Sequence, residues 1–474
     1  MTEEFSGRPG EVAVDTIAAV STAPGPGAVA LVRLSGSRAS EILGALTPDY
    51  NNTVRPRSPR LLHIREPQSG DLLDAAVVTA FCGPSSYTGE DMVEISCHGG
   101  RLVPSLILEA CLACGARMAE PGEFTQRAVL HGKMDLIQAE AVLDLVEGRS
   151  RALHGSAVFQ LERGLSLRIA EARAEMIGLE AHLVHHIDFP EEDEAPVSVE
   201  KVLAVASELR NRLEQLLATA PEGELLREGA LTVLAGPPNS GKSSLYNALL
   251  GEERAIVTEV PGTTRDALEV TVSLGGFPFR LVDTAGMREA DDLVERLGIE
   301  VARRYLDRAD LVLLCVEAGE RLEAGERAFL KELAGTPVVL LRTKSDLVPQ
   351  GYDPGSDYVE CDAETLGARE ALDISVADGT GLGELKKLLP SLVYGGLVRT
   401  GVSVPVLTRR RQTEGIRSAS DHLTTFMEEL ENGVPAEMAA THLRPAETAL
   451  EELLGVISTD QILERIFRNF CIGK

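Results

Sequence analysis

The chain has 474 residues, of which 46 are basic and 73 acidic, and its formal net charge is −27 at pH 7. This length exceeds what one hydrophobic core usually organises and predicts about two to four domains. No apolar run approaches the roughly 20 residues of a membrane-spanning helix, which excludes an integral membrane protein. Because the acidic surface repels phosphate backbones, nucleic-acid binding would require a local basic patch or a basic partner.

Seven cysteines are spread thinly along the chain, an odd number that favours free thiols in a reducing compartment over a disulfide framework. The first residues, MTEEFSGRPGEVAVD, lack the basic and apolar pattern of a secretory signal and the Arg-rich pattern of a transit peptide. We therefore expect a cytoplasmic protein.

Residues 1–132 contain short β-type runs broken by Gly and Pro, namely AVALVRLSG, AAVVTAFCG and DMVEISCHGG. One helical stretch follows Pro104. This mixture predicts an α+β domain over residues 1–132.

Residues 133–229 change to an apolar period of three to four, which is typical of amphipathic helices. One predicted helical face carries Leu161, Leu165, Ile169, Ala172, Met176, Leu179 and Leu183. We predict the first part of an all-α helical domain here.

Residues 230–392 alternate buried-type strands with helical patterns; the strand runs are LTVLAG, FRLVDTAG, DLVLLCVEAG and PVVLLRTKSD. This alternation predicts an α/β domain with a parallel sheet covered on both faces.

Helical periodicity returns in residues 393–474, with apolar positions at Leu443, Ala446, Leu450, Leu453 and Ile457. Ser458 and Gln461 predict a capping box for a last helix. The α/β domain is thus predicted as an insertion that makes the helical domain discontinuous.

The segment GPPNSGKSS, residues 236–244, matches the P-loop pattern G-x-x-x-x-G-K-[ST] between an apolar strand and a helical run. Backbone N–H groups of such a loop surround phosphates, Lys242 supplies a cation to the outer phosphates, and the Ser243 hydroxyl can bind Mg²⁺. The candidate nucleotide-binding residues of this loop are Asn239, Ser240, Gly241, Lys242, Ser243 and Ser244.

Two further segments fit the phosphate end of a nucleotide site. Thr263 and Thr264 of PGTTRD can place a hydroxyl and a backbone amide on the metal and the outer phosphate. The DTAG motif ends an apolar strand with a carboxylate facing the metal and a glycine amide for the γ-phosphate. Its members are Asp283, Thr284, Ala285 and Gly286.

The TKSD motif fits recognition of guanine, because the Asp346 carboxylate can accept hydrogen bonds from the N1–H and the 2-amino group while Lys344 lies along the base. Adenine lacks this pair of donors, so the sequence predicts GTP rather than ATP. The residues Ser375, Val376 and Ala377 close the base pocket. These motifs resemble those of the translation-factor-like GTPases, which usually have Asn where this chain has Thr343. Without the asparagine amide we expect the affinity for the base to differ, while guanine remains the predicted base.

Met287 follows DTAG at the position where many such GTPases have a glutamine that orients the attacking water. A thioether cannot polarise water, so hydrolysis is either slow or uses another group. Glu295 is the first candidate for that role, with Arg288 and Glu289 behind it, and a solvated helix start is the structural alternative for Glu295. The amide oxygen of Asn239 could hold a monovalent cation where other enzymes use an arginine finger.

Three weaker clusters favour structural interpretations. The CLAC segment has the spacing of redox or zinc cysteines, Cys111 and Cys114, but has no second pair. The histidines of HLVHH (His182, His185 and His186) fit a solvated helix end better than a metal site. The basic cluster in TRRRQ, Arg409 to Arg411, could contact a nucleic acid or an acidic partner surface.

The order of AVALVRLSG, SYTGEDMVEISCHGG, PGEFTQRAVLHGKMDLIQAEAVLDLV, IDFPEEDE, the GTPase motifs and the terminal CIGK closely resembles the MnmE (TrmE) family of bacterial tRNA modification GTPases over essentially the whole chain. The resemblance implies an N-terminal folate-binding domain, a discontinuous helical domain and an inserted G domain. It also implies GTP hydrolysis driven by potassium-dependent pairing of G domains in a homodimer.

The resemblance further implies a tRNA modification, the addition of an aminomethyl or carboxymethylaminomethyl group to C5 of the wobble uridine. The carbon would come from 5,10-methylene- or 5-formyl-tetrahydrofolate, and the partner would be the flavoprotein MnmG, which carries FAD and most of the affinity for tRNA. The alternative is a regulatory or ribosome-assembly GTPase switch, for which the G domain alone would suffice.

The resemblance assigns site residues by position. The family's potassium-binding positions correspond to Asn239, Thr258, Val260 and Thr263. Its Mg²⁺-binding positions correspond to Ser243 and Thr264. The resemblance implies that Glu295 acts on the attacking water and that Arg33, Glu94, Lys133 and Lys474 bind folate. Cys471, beside the implied folate, is a hypothetical nucleophile or proton donor.

Overall fold

The computed structural model describes residues 15–50, 55–188, 198–252, 269–283, 303–319, 333, 335–348, 369–401, 404–457, 460–468 and 470–474. They form two compact units, one of residues 1–143 with 450–474 and one of residues 144–449. Within these described ranges, each helix is either too short or too polar to cross a membrane.

The first unit is built on a six-stranded sheet in the order β3-β4-β5-β2-β1-β6. All of its pairings are antiparallel except the one between β1 and β6. The strands are β1 (Ile17–Val20), β2 (Val29–Ser35), β3 (Arg60–Arg65), β4 (Leu72–Phe81), β5 (Met92–His98) and β6 (Arg117–Met118). The predicted strand runs are therefore confirmed as β2, β4 and β5.

Alternation along β2 separates the two faces of this sheet, because successive side chains of a strand point to opposite sides. Val32 and Leu34 are fully buried against the helices α1 (Ala39–Leu46) and α2 (Leu102–Ala113) in one apolar core. Arg33 lies between them in sequence and points to the other face. Helix α2 begins before Pro104, which occupies the first turn, where a missing backbone N–H is tolerated.

The remaining helices of this unit are α3 (Glu123–Leu130), α4 (Leu136–Glu147) and α15 (Asp460–Phe467). Their apolar side chains share a core in which Leu136 and Leu143 pack with Phe467 and Phe470. Beyond this core, Ile472 forms an isolated β-bridge with Pro121, in the segment that follows β6. Ser458 lies outside the described residues, so the capping box stays a prediction.

The second unit contains a six-stranded sheet in the order β12-β11-β10-β7-β9-β8. Its strands are β7 (Ala230–Ala235), β8 (Glu269–Leu274), β9 (Phe277–Asp283), β10 (Leu311–Glu317), β11 (Val338–Thr343) and β12 (Glu370–Asp373). The four predicted strand runs are confirmed as β7, β9, β10 and β11, and they pair in parallel. The sheet also has an edge strand, β8, that pairs antiparallel with β9 through the turn at Gly275 and Gly276.

The helices of the second unit are α5 (Arg151–Leu161), α6 (Gly164–Asp188), α7 (Val199–Leu217), α8 (Ala220–Glu228), α9 (Lys242–Glu252), α10 (Leu382–Val393), α11 (Gly395–Thr400), α12 (Arg410–Glu431), α13 (Ala436–Ala439) and α14 (Leu443–Leu454). The predicted buried face of α6 is confirmed from Leu165 to Leu183. Leu161 was wrongly included, because the helix breaks at Arg163, whose φ is 69°. Ile457 was also wrong, since it lies beyond the end of α14 and is 41% exposed.

Candidate functional site

The glycine-rich loop runs from the end of β7 to the start of α9, as the sequence predicted. Asn239 has a φ of 63°, a left-handed conformation that asparagine tolerates better than most residues. Gly236 has a φ of 140°, and a Cβ there would lie 2.1 Å from the carbonyl oxygen of Cys315. The loop therefore requires glycine at its first position to lie against β10.

Lys242 lies inside this loop, with 5% of its surface exposed. Its Nζ donates hydrogen bonds to the carbonyl oxygens of Gly236 at 3.0 Å and Pro237 at 2.5 Å. The ammonium group is thus held on the concave side of the loop, where a P-loop meets the outer phosphates of a nucleotide.

Ser243, in the first turn of α9, donates a hydrogen bond of 2.9 Å from its Oγ to Oδ2 of Asp283 at the end of β9. Both groups are hard oxygen donors of the kind that Mg²⁺ prefers. The neighbouring sheet register places β9 directly beside β7, so the two motifs meet at the carboxyl edge of the parallel strands.

The base-recognition motifs meet at the ends of β11 and β12, where the N–H of Ser345 donates to the carbonyl oxygen of Ile374 at 3.2 Å. Lys344 has a φ of 56°, and its Nζ lies 2.6 Å from Oε2 of Glu317. Asp346 is exposed beside this connection. The structure therefore brings TKSD and residues 375–377 together, as expected for a base pocket.

The turn after β12 is held by hydrogen bonds of its own. The N–H of Ser375 donates to the carbonyl oxygen of Thr380 at 3.0 Å, and Ser375 is fully buried. Val376 and Ala377 are exposed at the tip of the turn. Hydrogen bonds from Thr380, and then from Ser375, lower the pKa of Asp378, a residue of this turn that the sequence did not single out.

Several predicted site residues lie outside the described residues, and their assignments stay predictions. These are Thr258, Val260, Thr263, Thr264, Thr284, Ala285, Gly286, Met287, Arg288, Glu289 and Glu295.

In the first unit, Arg33 of β2 lies directly opposite Glu94 of β5 in the antiparallel register. Nη2 and Nε of Arg33 donate to Oε1 of Glu94 at 2.7 and 3.1 Å. The guanidinium carbon lies 5.5 Å from the ring centre of Tyr87 and 5.7 Å from that of Phe124. Two aromatic faces and a carboxylate thus fix this cation on the sheet face opposite the helices α1 and α2.

The carboxyl terminus reaches the same pair, since Nη1 of Arg33 donates to the carbonyl oxygen of Gly473 at 3.3 Å. Gly473 has a φ of 93°, and a Cβ there would lie 2.7 Å from the Cα of Ser21. The predicted folate residues Arg33 and Glu94 are therefore brought together beside the chain end that carries Lys474.

Lys133 makes a different contact. Its Nζ donates to the carbonyl oxygen of Pro84 at 2.8 Å, and its side chain is exposed. Pro84 begins the loop that carries Tyr87, so Lys133 holds that loop and does not bind the Arg33–Glu94 pair directly.

A buried cation that the sequence did not single out lies close to this loop: Arg127, which is 3% exposed. It pairs with Asp15 at 2.7 Å, Glu123 at 2.9 Å and Glu90 at 3.2 Å. Burial alone raises the pKa of Glu123, but hydrogen bonds from Arg117, the Glu120 amide and Arg127 hold it below its usual value. The spacing of Glu123 and Arg127, four residues apart in a helix, was the available signal.

The cysteines Cys111 and Cys114 of CLAC differ from Cys471 in how far they are buried. Cys111 is fully buried in the core, and burial raises the pKa of its thiol to about 12, so this thiol is not ionised near neutral pH. Burial also raises the pKa of Cys114. Cys471 is exposed, and its carbonyl oxygen accepts from the N–H of Gly122 at 3.3 Å.

The basic cluster of TRRRQ is engaged within the second unit. Arg409 lies 2.5 Å from Asp144, with 13% of its side chain exposed, and the exposed Arg410 lies 2.6 Å from Glu414. Arg409 is therefore a structural cation. The side chains of His182, His185 and His186 lie outside the described residues.

The parallel sheet, its phosphate loop and the two base-recognition segments place this chain in the class of P-loop GTPases. Residues 136–471 match the family described as the MnmE helical domain, and residues 16–133 match the family described as GTP-binding protein TrmE N-terminus. The chain belongs to the MnmE family of tRNA modification GTPases. This confirms the predicted family.

Curated relatives extend over the whole molecule. A tRNA modification GTPase MnmE from Heliobacterium modesticaldum is 41% identical over 97% of this chain and 99% of its own length. Another from Moorella thermoacetica is 40% identical over the same fractions of each chain. Among solved structures, the G domain of the T. maritima FeoB iron transporter is similar over 34% of this chain and 96% of that chain, with 29% identity and a TM-score of 0.25.

The predicted fold class is confirmed at the level of its parts. The chain has an α+β N-terminal part that matches the TrmE N-terminus, helices that match the MnmE helical domain, and a P-loop α/β part.

Proposed function

We propose that this chain is the GTP-hydrolysing component of an enzyme that modifies C5 of the wobble uridine of tRNA. It would add an aminomethyl or carboxymethylaminomethyl group with a one-carbon unit from a tetrahydrofolate. Membership of a family whose relatives are named tRNA modification GTPases supports this proposal. The observation that carries the folate half is the Arg33–Glu94 pair joined to the carbonyl oxygen of Gly473.

The folate proposal rests on the chemistry of that pair. Arg33 donates two hydrogen bonds to Glu94, and both go to Oε1. Oε2 of Glu94 accepts no hydrogen bond from the described residues. Oε2 is thus a suitable acceptor for the adjacent N–H groups of a pterin. Lys133 and Lys474 supply the positive charge that a folate's glutamate tail requires.

The catalytic proposal for GTP rests on the phosphate loop. Lys242 would contact the outer phosphates, and Ser243 with Thr264 would hold Mg²⁺, for which the contact between Ser243 and Asp283 supplies suitable oxygen donors. Glu295 would orient the attacking water. In this arrangement water would attack the γ-phosphate, the bond to the β-phosphate oxygen would break, and GDP and inorganic phosphate would result; Mg²⁺, when bound, would supply positive charge to the phosphate oxygens.

Potassium would stand where other GTPases use an arginine, held by Asn239, Thr258, Val260 and Thr263. Of these residues, Asn239 lies in the described loop, where its side chain is exposed at a left-handed turn. We further propose that G domains pair in a homodimer around this ion. The test is GTP turnover with potassium replaced by sodium: strong dependence on potassium is expected, and equal rates would overturn the role of Asn239.

Cys471 would act as a nucleophile or proton donor in the carbon transfer, because it is exposed in the tail that reaches Arg33 through Gly473. Replacement Cys471→Ser is expected to abolish tRNA modification while GTP turnover persists. Full modification by this variant would remove the role.

The flavoprotein partner is the one that the family resemblance implies, and the charge of this chain concerns how the two proteins would share the affinity for tRNA. With a net charge of −27, this chain would bind tRNA poorly, so the flavoprotein MnmG with its FAD would carry most of the tRNA affinity.

We also propose a cytoplasmic location and a division of the chain into residues 1–132, 133–229, 230–392 and 393–474.

The experiment that tests the proposed function measures binding of 5-formyl-tetrahydrofolate to the full chain by calorimetry. Deletion of residues 471–474 is expected to abolish binding, because it removes Lys474 and the Gly473 carbonyl oxygen that Arg33 contacts. A protein that hydrolyses GTP but binds no folate would instead be a regulatory or ribosome-assembly GTPase switch.

A further inference from the structure

Thr343 ends β11 at the point where the base-recognition motif begins, yet its side chain faces the phosphate loop. It is 3% exposed. Its Oγ1 lies 2.7 Å from the carbonyl oxygen of Ser240 and 3.1 Å from that of Val316. A Cβ on Gly241 would lie 3.4 Å from the Cβ of Thr343, so the side chain also packs against the loop backbone.

A threonine hydroxyl has one proton to donate. Both oxygens near Oγ1 of Thr343 are carbonyl acceptors, so that proton is committed to the protein, and the shorter distance assigns it to Ser240. An asparagine, the usual residue here in related GTPases, has two N–H donors and can serve the loop and a ligand together. Threonine has no second donor to offer to a base.

The carboxylate of Asp346, three residues after Thr343, is available to a ligand, whereas the Thr343 hydroxyl is bound to the loop. It is exposed beside the turn of residues 375–377. A carboxylate accepts from the N1–H and the 2-amino group of guanine, and it has no donor for the imidazole edge of the purine.

We propose that Thr343 is a positioning residue that fixes the phosphate loop through Ser240, and that guanine is recognised through Asp346 without a contact from the Thr343 side chain to N7. The proposal rests on the proposed nucleotide site and goes further, because it divides two tasks between residues that share one motif. Affinity for the phosphates then depends on Thr343, and selectivity for the base depends on Asp346.

The test is equilibrium binding of GDP, 7-deaza-GDP and IDP to the full-length protein and to the variants Thr343→Val and Thr343→Ser. Wild type is expected to bind 7-deaza-GDP within about twofold of GDP, because the Thr343 hydroxyl is committed to the loop and does not contact N7, and to bind IDP at least about tenfold more weakly, because IDP lacks the 2-amino group. Thr343→Val should weaken all three nucleotides by one common factor of about tenfold, since the Ser240 carbonyl oxygen loses its buried donor. Thr343→Ser restores the hydroxyl and should stay within about threefold of wild type.

Thr425→Val is the matched control, because Thr425 also donates to a carbonyl oxygen, that of Asp421 at 3.1 Å, on an exposed part of α12. It should bind all three nucleotides as wild type does. The comparison of the nucleotides on wild type needs no variant, and therefore does not depend on how Thr343→Val folds.

Three outcomes separate the possibilities. If wild type binds no guanine nucleotide, the proposed nucleotide site itself fails. If wild type binds GDP but loses about tenfold on 7-deaza-GDP, and Thr343→Val removes that difference, then Thr343 reads the base and our inference is wrong. If Thr343→Val binds GDP as tightly as wild type, the hydroxyl does not position the loop.

Discussion

The hydroxyl of Ser243 lies 2.9 Å from the carboxylate of Asp283 and donates to it, which joins the first turn of α9 to the end of β9. In the proposed site, these two oxygen groups would bind Mg²⁺ beside a nucleotide. Ser243→Ala removes one of them without disturbing the loop glycines. We expect the Mg²⁺ concentration for half-maximal GTP hydrolysis to rise about tenfold or more.

The measurement is GTP turnover across a Mg²⁺ titration at saturating GTP. Ser391→Ala is the control, since Ser391 is an exposed serine that donates to the carbonyl oxygen of Leu388 in α10. An unchanged Mg²⁺ requirement in Ser243→Ala would exclude this serine as a metal ligand.

Glu94→Gln tests the pterin acceptor directly. The amide keeps the shape of the side chain but presents one carbonyl oxygen in place of a carboxylate, so it cannot neutralise Arg33 and accept strongly from a pterin. We expect affinity for 5-formyl-tetrahydrofolate to fall about tenfold or more, with GTP turnover unchanged. Glu41→Gln, which alters the exposed pair with Arg38, is the control. Folate affinity equal to wild type in Glu94→Gln would contradict the assignment.

Arg127→Met tests the buried charge cluster. Glu90, 9% exposed, would lose its cation, and Glu123, 10% exposed, would lose Arg127 but keep Arg117, at a cost of about 3–5 kcal/mol in the free energy of unfolding at pH 7. The pKa of Glu123 is held below its usual value, so its contribution to stability is present at neutral pH and is lost as the pH falls through that lowered pKa.

The variant's deficit should therefore be largest at pH 7 and should shrink as the pH falls and Glu123 takes up a proton. Thermal unfolding of both proteins across this range measures it. Arg38→Met, at an exposed pair, should change little at any pH. A deficit that grows toward acid pH would show that the cluster does not act through its charges.

The strands and the phosphate loop were predictable because they depend on local patterns. Strand β7, for example, is buried over its whole length in the parallel sheet. β8 was missed although its residues, EVTVSL, alternate strictly between polar and apolar, because the prediction relied on the continuous apolar runs that are typical of strands buried on both faces. The helix break at Arg163 was missed because the apolar period continues across it.

The environment of Arg33 could not be worked out from local pattern at all. Its contact with Gly473 joins residues 440 positions apart, and the rings of Tyr87 and Phe124 come from a loop and a helix. Family resemblance supplied Arg33 and Glu94 as candidates, whereas their direct pairing follows from the register of β2 and β5. Charge–aromatic contacts of this kind depend on tertiary packing, for which one sequence carries little signal.

The hydroxyl of Tyr394 joins the segment after α10 to the start of β7. It accepts from the N–H of Ala230 at 3.2 Å and lies 2.6 Å from the carbonyl oxygen of Pro278 and 3.0 Å from that of Leu225. Tyr394 is fully buried, and burial raises the pKa of its hydroxyl, which stays protonated and able to donate.

Tyr394→Phe keeps the ring that stacks 4.9 Å from Phe277 and removes the hydroxyl alone. The buried Ala230 amide and Pro278 carbonyl oxygen then lose a partner, so we expect a loss of about 1–3 kcal/mol in the free energy of unfolding. Tyr394→Leu should cost more, because it also leaves a cavity. Tyr246→Phe is the control, since the Tyr246 hydroxyl makes no hydrogen bond among the described residues. Thermal unfolding of the four proteins decides, and a Tyr394→Phe variant as stable as wild type would mean that the ring alone holds this junction.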